Sequence, residues 1–407
     1  MNETIERGRN VALEIAIAFM LVSGVSPFVG LGLSVEHFPY GIAVAILVGR
    51  PPPLGFVIAA VTGAVFWVGS ILYWGDWGNW VYLVQFINVL TPLVFFHSLR
   101  PKLERTAQYV FWLYIVFGTV QFLGLLEFAE PFLGNFIPRF IGGRAPGYRG
   151  VSSLESEPAR AGYQLLMLFI IANAKFRNRT VAFGALVVAE LVVLRATSGL
   201  ILTGAFVGFL AVGVLRGRPK LTPVLLLGVL AVGGFAYTSN PKIEEIVDET
   251  IDRGPQGFED SILATSGGRY LAFKDTITDI VTQPLGRGAD PSFAGNDLEL
   301  LQNERYEDRE GRGYKVERGV RPVSAILNTV RTFGIAMAIL VAWAIRRDLF
   351  NGKRPDFTPS FWFVILAALI YGPSGSEALL IALGVAGRGS DAPAAESDNS
   401  PLLEPAT

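Results

Sequence analysis

Long apolar runs, separated by short charged segments, constrain this chain more than any other feature of its sequence. Of its 407 residues, 51% are hydrophobic and only 17% are charged, whereas soluble domains carry roughly 25% charged residues. A helical apolar run of ~17–25 residues matches the hydrocarbon thickness of a bilayer. The sequence therefore predicts an all-α, polytopic membrane protein with about twelve transmembrane helices.

The expected membrane helices follow the apolar runs one by one. We place them at residues 11–31, 38–49, 54–74, 80–98, 109–128, 159–174, 181–194, 199–215, 221–237, 323–345, 359–371 and 376–386. The runs 38–49 and 376–386 are short, so each could be a re-entrant or tilted segment instead of a full span.

The C-terminal part of the chain contains a long hydrophilic loop and a polar tail. The first nine helices occupy residues 1–237, and the last three occupy 323–386. Between them lies a loop of residues 238–322, which is by far the longest in the chain. The tail, 387–407, is rich in serine, proline, alanine and acidic residues and is predicted to be disordered.

The positions of lysine and arginine predict the sides of the membrane. Basic residues are concentrated before the first span and after the fourth, sixth, eighth and tenth spans. All these clusters fall on one side if every run crosses once, and that side is expected to be the cytoplasm. Both termini would then be cytoplasmic in a cell (inner) membrane protein. The loop 238–322 and an arginine-rich segment, 130–160, would lie outside.

The remaining composition excludes several kinds of chemistry. The net charge of −1 gives no indication of a nucleic-acid partner. The chain has no cysteine, which excludes disulfides and thiol catalysis, and its two histidines argue against a His-based metal cluster.

The segment 130–160 contains no lysine but four arginines: Arg139, Arg144, Arg149 and Arg160. A guanidinium group binds phosphate through two hydrogen bonds at once and stays charged near a membrane. These arginines could bind the pyrophosphate of a lipid at the outer leaflet. Alternatively, they could pair with lipid headgroups or with acidic side chains of the loops.

The same segment enters a membrane helix at Glu157-Pro158. Glu157 would lie near the positive end of the helix dipole, and Arg160 would lie in the first turn. A carboxyl group at a partly dry interface can act as a general base. Plain capping by an acid before a proline is the alternative.

Two amphipathic helices are predicted within the loop 238–322. The first begins at Pro241, after a capping Asn240, and the second covers residues 269–281. Glycine-rich motifs flank the second helix: Ser266-Gly267-Gly268-Arg269 and Pro284-Leu285-Gly286-Arg287-Gly288. Glycines let a backbone approach a ligand closely, but ordinary turns that bound the helix would use the same residues.

Charges inside membrane helices indicate a functional site by default. Glu190 and Arg195 are five residues apart on one predicted helix, about 140° around it, and are poor partners for each other. Arg195 lies near the predicted outer end and could face the same site as the loop arginines. Glu190 is expected to pair with another helix.

Together these segments resemble the O-antigen polymerase and ligase superfamily, of Wzy and WaaL type. The marks are Arg149-Gly150 before Glu157-Pro158, Thr197-Ser198-Gly199, and the two glycine-rich motifs of the loop. Ligases of this group have a His, then Asn, Ser or Gln, with Leu three positions later and Gly seven beyond. Val323 stands at the His position here, followed by Ser324, Leu327 and Gly334. This departure favours a polymerase.

The resemblance implies a membrane glycosyltransferase that polymerises polyprenyl-pyrophosphate-linked oligosaccharide units at the outer face, as in O-antigen or exopolysaccharide synthesis. Glu157 and Arg269 would be catalytic, and the groups that bind pyrophosphate and glycan would be Arg149, Arg160, Arg195, Arg287 and Arg321. No metal, cofactor or nucleotide sugar would be needed.

The partners that the resemblance implies are membrane lipid, a flippase and a chain-length regulator. Two alternatives remain open at this stage. One is a ligase-like transferase that moves the glycan to another acceptor, and the other is a transporter or flippase of the same lipid-linked sugars.

Overall fold

The computed structural model describes most of the chain, in segments. These are residues 2–22, 46–47, 51–75, 81–137, 142–143, 151–155, 158–195, 197–217, 234, 237–238, 241–258, 261, 269–288, 305–307, 313–315, 324–371 and 377–387. Within these segments the chain is mostly helical, which agrees with the predicted class. The tail 388–407 lies outside them.

The described helices and strands are numbered in chain order. They are α1 Asn2–Leu21, α2 Leu54–Trp74, α3 Val81–Phe122, α4 Glu130–Leu133, α5 Pro158–Ala172, α6 Arg179–Val188, α7 Thr197–Gly217, α8 Pro241–Arg253, α9 Arg269–Thr282, β1 Arg305–Glu307, β2 Gly313–Lys315, α10 Ala325–Ala344, α11 Pro359–Tyr371 and α12 Glu377–Ala386. A π-helical turn, Ala189–Leu194, extends α6, and a second one, Ile345–Leu349, extends α10.

The membrane character is supported by two of these helices. Leu54–Trp74 and Ile326–Leu349 are long and apolar enough to cross a bilayer, and the bent pair Lys102–Phe122 and Glu127–Leu133 would make a third span if it counts as one. Most of the other predicted spans are helical but short where they are described. The predicted spans 38–49 and 221–237 lie almost entirely outside the described residues. The count of twelve stays a prediction.

The fourth and fifth predicted spans differ from the structure. We expected a loop between them, because Arg100, Lys102 and Arg105 interrupt the apolar pattern, but α3 runs through this stretch as one helix of 42 residues. Arginine, lysine and glutamate are good helix formers, so charge does not end a helix here. The helix also continues through Pro101, whose ring removes one backbone hydrogen bond and typically kinks a helix. At 1.5 Å per residue, 42 residues extend roughly 63 Å along the helix axis. The predicted alternation of sides assumed a hairpin at this place.

Helix α5 forms the centre of the packing. Every residue from 161 to 172 is buried, and the helix contacts α3, α7 and α12. A helix that is apolar on all sides is stable only when neighbours surround it or when it is embedded in lipid. The surrounding helices of this chain provide that cover.

The predicted loop 238–322 contains ordered elements. Helix α8 begins at Pro241, as the capping signal predicts, and α9 covers the second predicted amphipathic stretch. The short antiparallel strands β1 and β2, in which Tyr306 pairs with Tyr314, were not predicted. Of these elements, α9 packs against α10, so the loop is attached to one of the helices that could cross a membrane.

Candidate functional site

Helix α10 is interrupted at Gly334, where the backbone adopts φ 84° and ψ 171°. Glycine reaches this region without strain, whereas residues with a Cβ do not. Such a break leaves backbone N–H and C=O groups that the helix itself cannot pair. In a helix that crosses a bilayer, those groups must find other partners within the protein.

The loop that follows α9 provides these partners. Its residues 284–288 lie along the break of α10 and pair with it backbone to backbone. The bonds run from Arg287 N–H to the Arg331 carbonyl (3.1 Å), from Gly288 N–H to the Thr332 carbonyl (2.9 Å) and from Ile335 N–H to the Pro284 carbonyl (2.8 Å).

Two glycines make this close approach possible. A Cβ on Gly286 would lie 2.5 Å from the Gly334 amide nitrogen and 2.6 Å from the Thr332 carbonyl oxygen. A Cβ on Gly334 would lie 2.5 Å from the carbonyl carbon of Leu285. Gly286 also has a positive φ, of 86°. The glycine-rich motif that the sequence singled out is therefore a contact surface for a broken helix.

The same crossing brings two arginines onto one carboxylate. Arg287, from the loop, and Arg331, from α10, both donate hydrogen bonds to Asp279 of α9. The Arg331 Nε lies 2.6 Å from the Asp279 Oδ2, and each arginine binds a different carboxylate oxygen. We call these three residues the Asp279 clamp.

The Asp279 clamp is partly buried and carries a net positive charge. Its side chains are exposed by 12% for Asp279, 20% for Arg287 and 10% for Arg331. Two guanidinium groups and one carboxylate give a formal charge of +1. Arginines fixed in this way are suited to bind a phosphate or another oxyanion, because the planar guanidinium presents several donors in a set geometry.

Among the predicted site residues, Arg287 alone has a described place in this arrangement. Arg269 begins α9, ten residues before Asp279, and its side chain is outside the described part of the chain. Arg149, Glu157 and Arg321 also lie outside it.

The two remaining predicted arginines lie on other helices. Arg160, in the first turn of α5, is partly buried, and Arg195 is exposed at the end of the π-helical turn with a left-handed φ of 45°. No hydrogen bond or ion pair between described residues joins either of them to the clamp.

Sequence reasoning missed Asp279 and Arg331. Arg331 could have been found, because it is an arginine inside an apolar run and stands three residues before the Gly334 of the ligase-like frame. Asp279 gives no such signal, since it is one of several acids in an amphipathic helix. Its role depends on contacts with residues 8 and 52 positions away.

A second buried polar arrangement lies just before α5. Residues 151–155 are all buried, and the Tyr114 hydroxyl of α3 donates to the Glu155 Oε1 at 2.6 Å. The Ser153 N–H donates to the Gln121 side chain, and Ser153 has a positive φ of 52°. Glu155 was not among the predicted residues; the neighbouring Glu157 was chosen instead.

Glu190 was expected to pair with another helix, but no such pair is formed among the described residues. It is fully buried in the π-helical turn, and neither carboxyl oxygen has a hydrogen-bond partner among the described residues. Glycines of two other helices, Gly162 and Gly199, contact the carboxyl group instead.

Comparison of the chain with protein-family models, with curated proteins and with solved structures finds no match. Among the described residues, no group of three or more His, Asp or Glu side chains could hold a metal ion. The basis for a functional proposal is therefore the geometry of the Asp279 clamp and of the helix break beneath it.

Proposed function

We propose that the chain is a membrane glycosyltransferase that polymerises oligosaccharide repeat units carried on polyprenyl pyrophosphate. The observation that supports it is the Asp279 clamp, which fixes Arg287 and Arg331 where a long loop meets an interrupted apolar helix. A transferase of this kind must stabilise the negative charge that develops on a leaving pyrophosphate. Preorganised guanidinium groups in a partly buried site perform that task well.

The position of the clamp agrees with a lipid-bound donor. A polyprenyl pyrophosphate holds its phosphates at the boundary between headgroups and water. The clamp joins α9, from the loop predicted to lie outside, to α10, which is long and apolar enough to cross a bilayer. In this proposal, the loop 238–322 lies on the outer side of the cell membrane, so this boundary would be at the outer leaflet.

The proposed reaction transfers a glycan between lipid-linked units. A sugar hydroxyl of the acceptor attacks the anomeric carbon of the donor glycan, and the bond from that carbon to the phosphate oxygen breaks. The polyprenyl pyrophosphate leaves, bound by Arg287 and Arg331. The hydroxyl proton goes to a carboxylate base, for which Glu157 remains the proposed residue.

Other arginines keep supporting roles in this proposal. Arg269 begins the helix that carries Asp279, so it would act from the same side of the loop as the clamp. Arg149, Arg160, Arg195 and Arg321 would bind the glycan or a second phosphate. No metal or nucleotide sugar takes part, and a flippase and a chain-length regulator would act before and after this step.

A transporter of the same lipid-linked sugars is the second candidate, and the break at Gly334 favours it. Interrupted helices are typical of transporters, where they form substrate sites near the middle of the bilayer. In this chain, however, the loop 284–288 covers the break with three backbone hydrogen bonds. A break used in this way anchors a folded loop, which suits a site at the membrane surface.

Reconstitution separates the candidates. The purified chain is placed in vesicles with a fluorescent polyprenyl-pyrophosphate oligosaccharide, and the lipid-linked products are separated by length. A polymerase produces a ladder of longer lipid-linked glycans. Movement of the label between leaflets without new glycosidic bonds would refute the proposal and identify a transporter. Transfer only to an added non-identical acceptor would identify a ligase.

A further inference from the structure

Four acidic side chains are buried in the described part of the chain, and one of them differs from the rest. The ε-ammonium of Lys175 lies 3.6 Å from Glu104, the Tyr114 hydroxyl donates to Glu155, and the Phe56 N–H donates to Asp348 at 2.9 Å. Glu190 is the fourth. It is 0% exposed, and within the described segments neither of its oxygens has a hydrogen-bond partner or an ion pair.

The surroundings of Glu190 are helix backbone. Gly162 of α5 and Gly199 of α7 lie on either side of the carboxyl group, so close that a Cβ on Gly162 would be 2.7 Å from the nearer oxygen. A Cβ on Gly199 would also overlap the carboxyl group. An added Cβ at either position would meet the carboxyl group, so the two helices enclose it closely, and no described side chain of either helix bonds to it.

A second buried polar side chain, that of Thr203, lies on the same helix as Gly199. Thr203 follows Gly199 by one helical turn and is therefore on the same face of α7. Its hydroxyl is buried and has no partner among the described residues. Four other helix threonines, Thr91, Thr119, Thr250 and Thr282, donate to the carbonyl four residues earlier, whereas the buried Thr332 hydroxyl of α10, like that of Thr203, has no partner among the described residues.

The backbone conformation around Glu190 is also unusual. Glu190 lies in the π-helical turn Ala189–Leu194, where the N–H of Arg195 bonds to the Glu190 carbonyl five residues earlier, at 3.0 Å. Such turns are rare and occur frequently at functional sites.

An ionised carboxylate is disfavoured where no described cation or hydrogen-bond donor reaches it. Burial without a cation or a hydrogen-bond donor strongly disfavours the charged form, and such a group becomes neutral instead. We infer that the Glu190 carboxyl group, enclosed between Gly162 and Gly199 one helical turn from Thr203, is a buried proton-binding site. The proton can leave only when the contact between α5 and α7 opens and admits water or a cation.

Among the described residues, no nearby charge offers another way to neutralise Glu190. The turn packs against α3, α5, α6 and α7, and the segment 151–155 pairs with it through Val151 and Val193. The described titratable or charged groups that these elements carry near the turn are Tyr114, Glu155, Arg160, Tyr163 and Arg195. None of them bonds to the Glu190 carboxyl group. This inference does not depend on the proposed transferase activity.

Infrared spectroscopy tests the proton directly. The spectra of the wild-type protein and of E190Q are recorded at pH 7 in lipid, and one is subtracted from the other. The wild type should show a carboxylic-acid C=O band that E190Q lacks and that shifts in D₂O. The matched control is E104Q, which should instead lose carboxylate bands, because Glu104 is ion-paired with Lys175.

Two results would overturn the inference. One is the loss of carboxylate bands, with no loss of an acid band, in E190Q. The other is failure of E190Q to fold, because glutamine has the shape of the protonated acid and should fit the site. As a second variant, G162A, whose Cβ would meet the Glu190 carboxyl group, should shift the frequency of the acid band without removing it. An unchanged frequency in G162A would contradict the enclosure of the carboxyl group.

Discussion

Gly286 and Gly334 cross with their backbones in contact, such that a Cβ on Gly286 would lie 2.5 Å from the amide nitrogen of Gly334. The two residues are 48 positions apart in the sequence, one in a loop and one in an interrupted helix. Their crossing fixes the loop on α10 and so sets the distance between Arg287 and Arg331. The geometry of the Asp279 clamp therefore depends on two residues that have no side chain.

Gly334→Ala should destabilise the fold by on the order of 2–4 kcal/mol, because the new Cβ meets the Leu285 backbone and the residue must keep a conformation that favours glycine. Thermal unfolding in detergent measures the loss. The matched control is Gly204→Ala in α7, where nothing lies within 4 Å of the added atom. That change should be neutral or stabilise by up to about 1 kcal/mol. Equal melting temperatures for the two variants would contradict the crossing.

Asp279→Asn removes the charge that holds two partly buried guanidinium groups. We expect a loss of stability of about 2–4 kcal/mol, since the arginines would be left close together without their shared carboxylate. The control is Glu249→Gln, which removes one member of an exposed pair with Arg253 at 3.4 Å. Such pairs contribute only about 0.5 kcal/mol. If denaturant unfolding gives the same change for both variants, the clamp does not hold α9 on α10.

The Arg195→Gly variant distinguishes the effect of the Arg195 backbone conformation on stability from the effect of its side chain on activity. Arg195 adopts a left-handed φ of 45°, which costs a non-glycine residue roughly 1–2 kcal/mol. Glycine should therefore keep or raise the melting temperature. If the guanidinium group binds substrate, as the sequence predicts, transfer activity should fall at the same time. A variant with unchanged activity would remove Arg195 from the site.

Local signals predicted much of the fold. The bounds of α2 and α11 coincide with the apolar runs, and α8 and α9 begin at the residues that capping and periodicity indicate. The continuous α3 was missed, because hydropathy treats the charged stretch around Pro101 as a loop, whereas its charged residues are good helix formers. Hydropathy therefore locates apolar stretches well but does not decide whether two of them form one helix.

The site was predicted only in part. The sequence identified Arg287 and its glycines, since their composition is unusual within the loop. The sequence could not show that Asp279 and Arg331 pair with each other, because this pairing depends on how α9 packs on α10. The isolation of Glu190 was missed for the same reason. Whether a buried charge is paired depends on residues of other helices, which no spacing within one helix can specify.

The most direct test of the account is the rate of glycan elongation in R287A and R331A, reconstituted with a polyprenyl-pyrophosphate oligosaccharide. Both variants should elongate at least ~100-fold more slowly than wild type, as expected when a donor to developing negative charge is lost. R253A is the control, because Arg253 lies in α8 and pairs with Glu249 at the surface. It should retain the wild-type rate. Folded R287A and R331A that elongate at the wild-type rate would contradict the account.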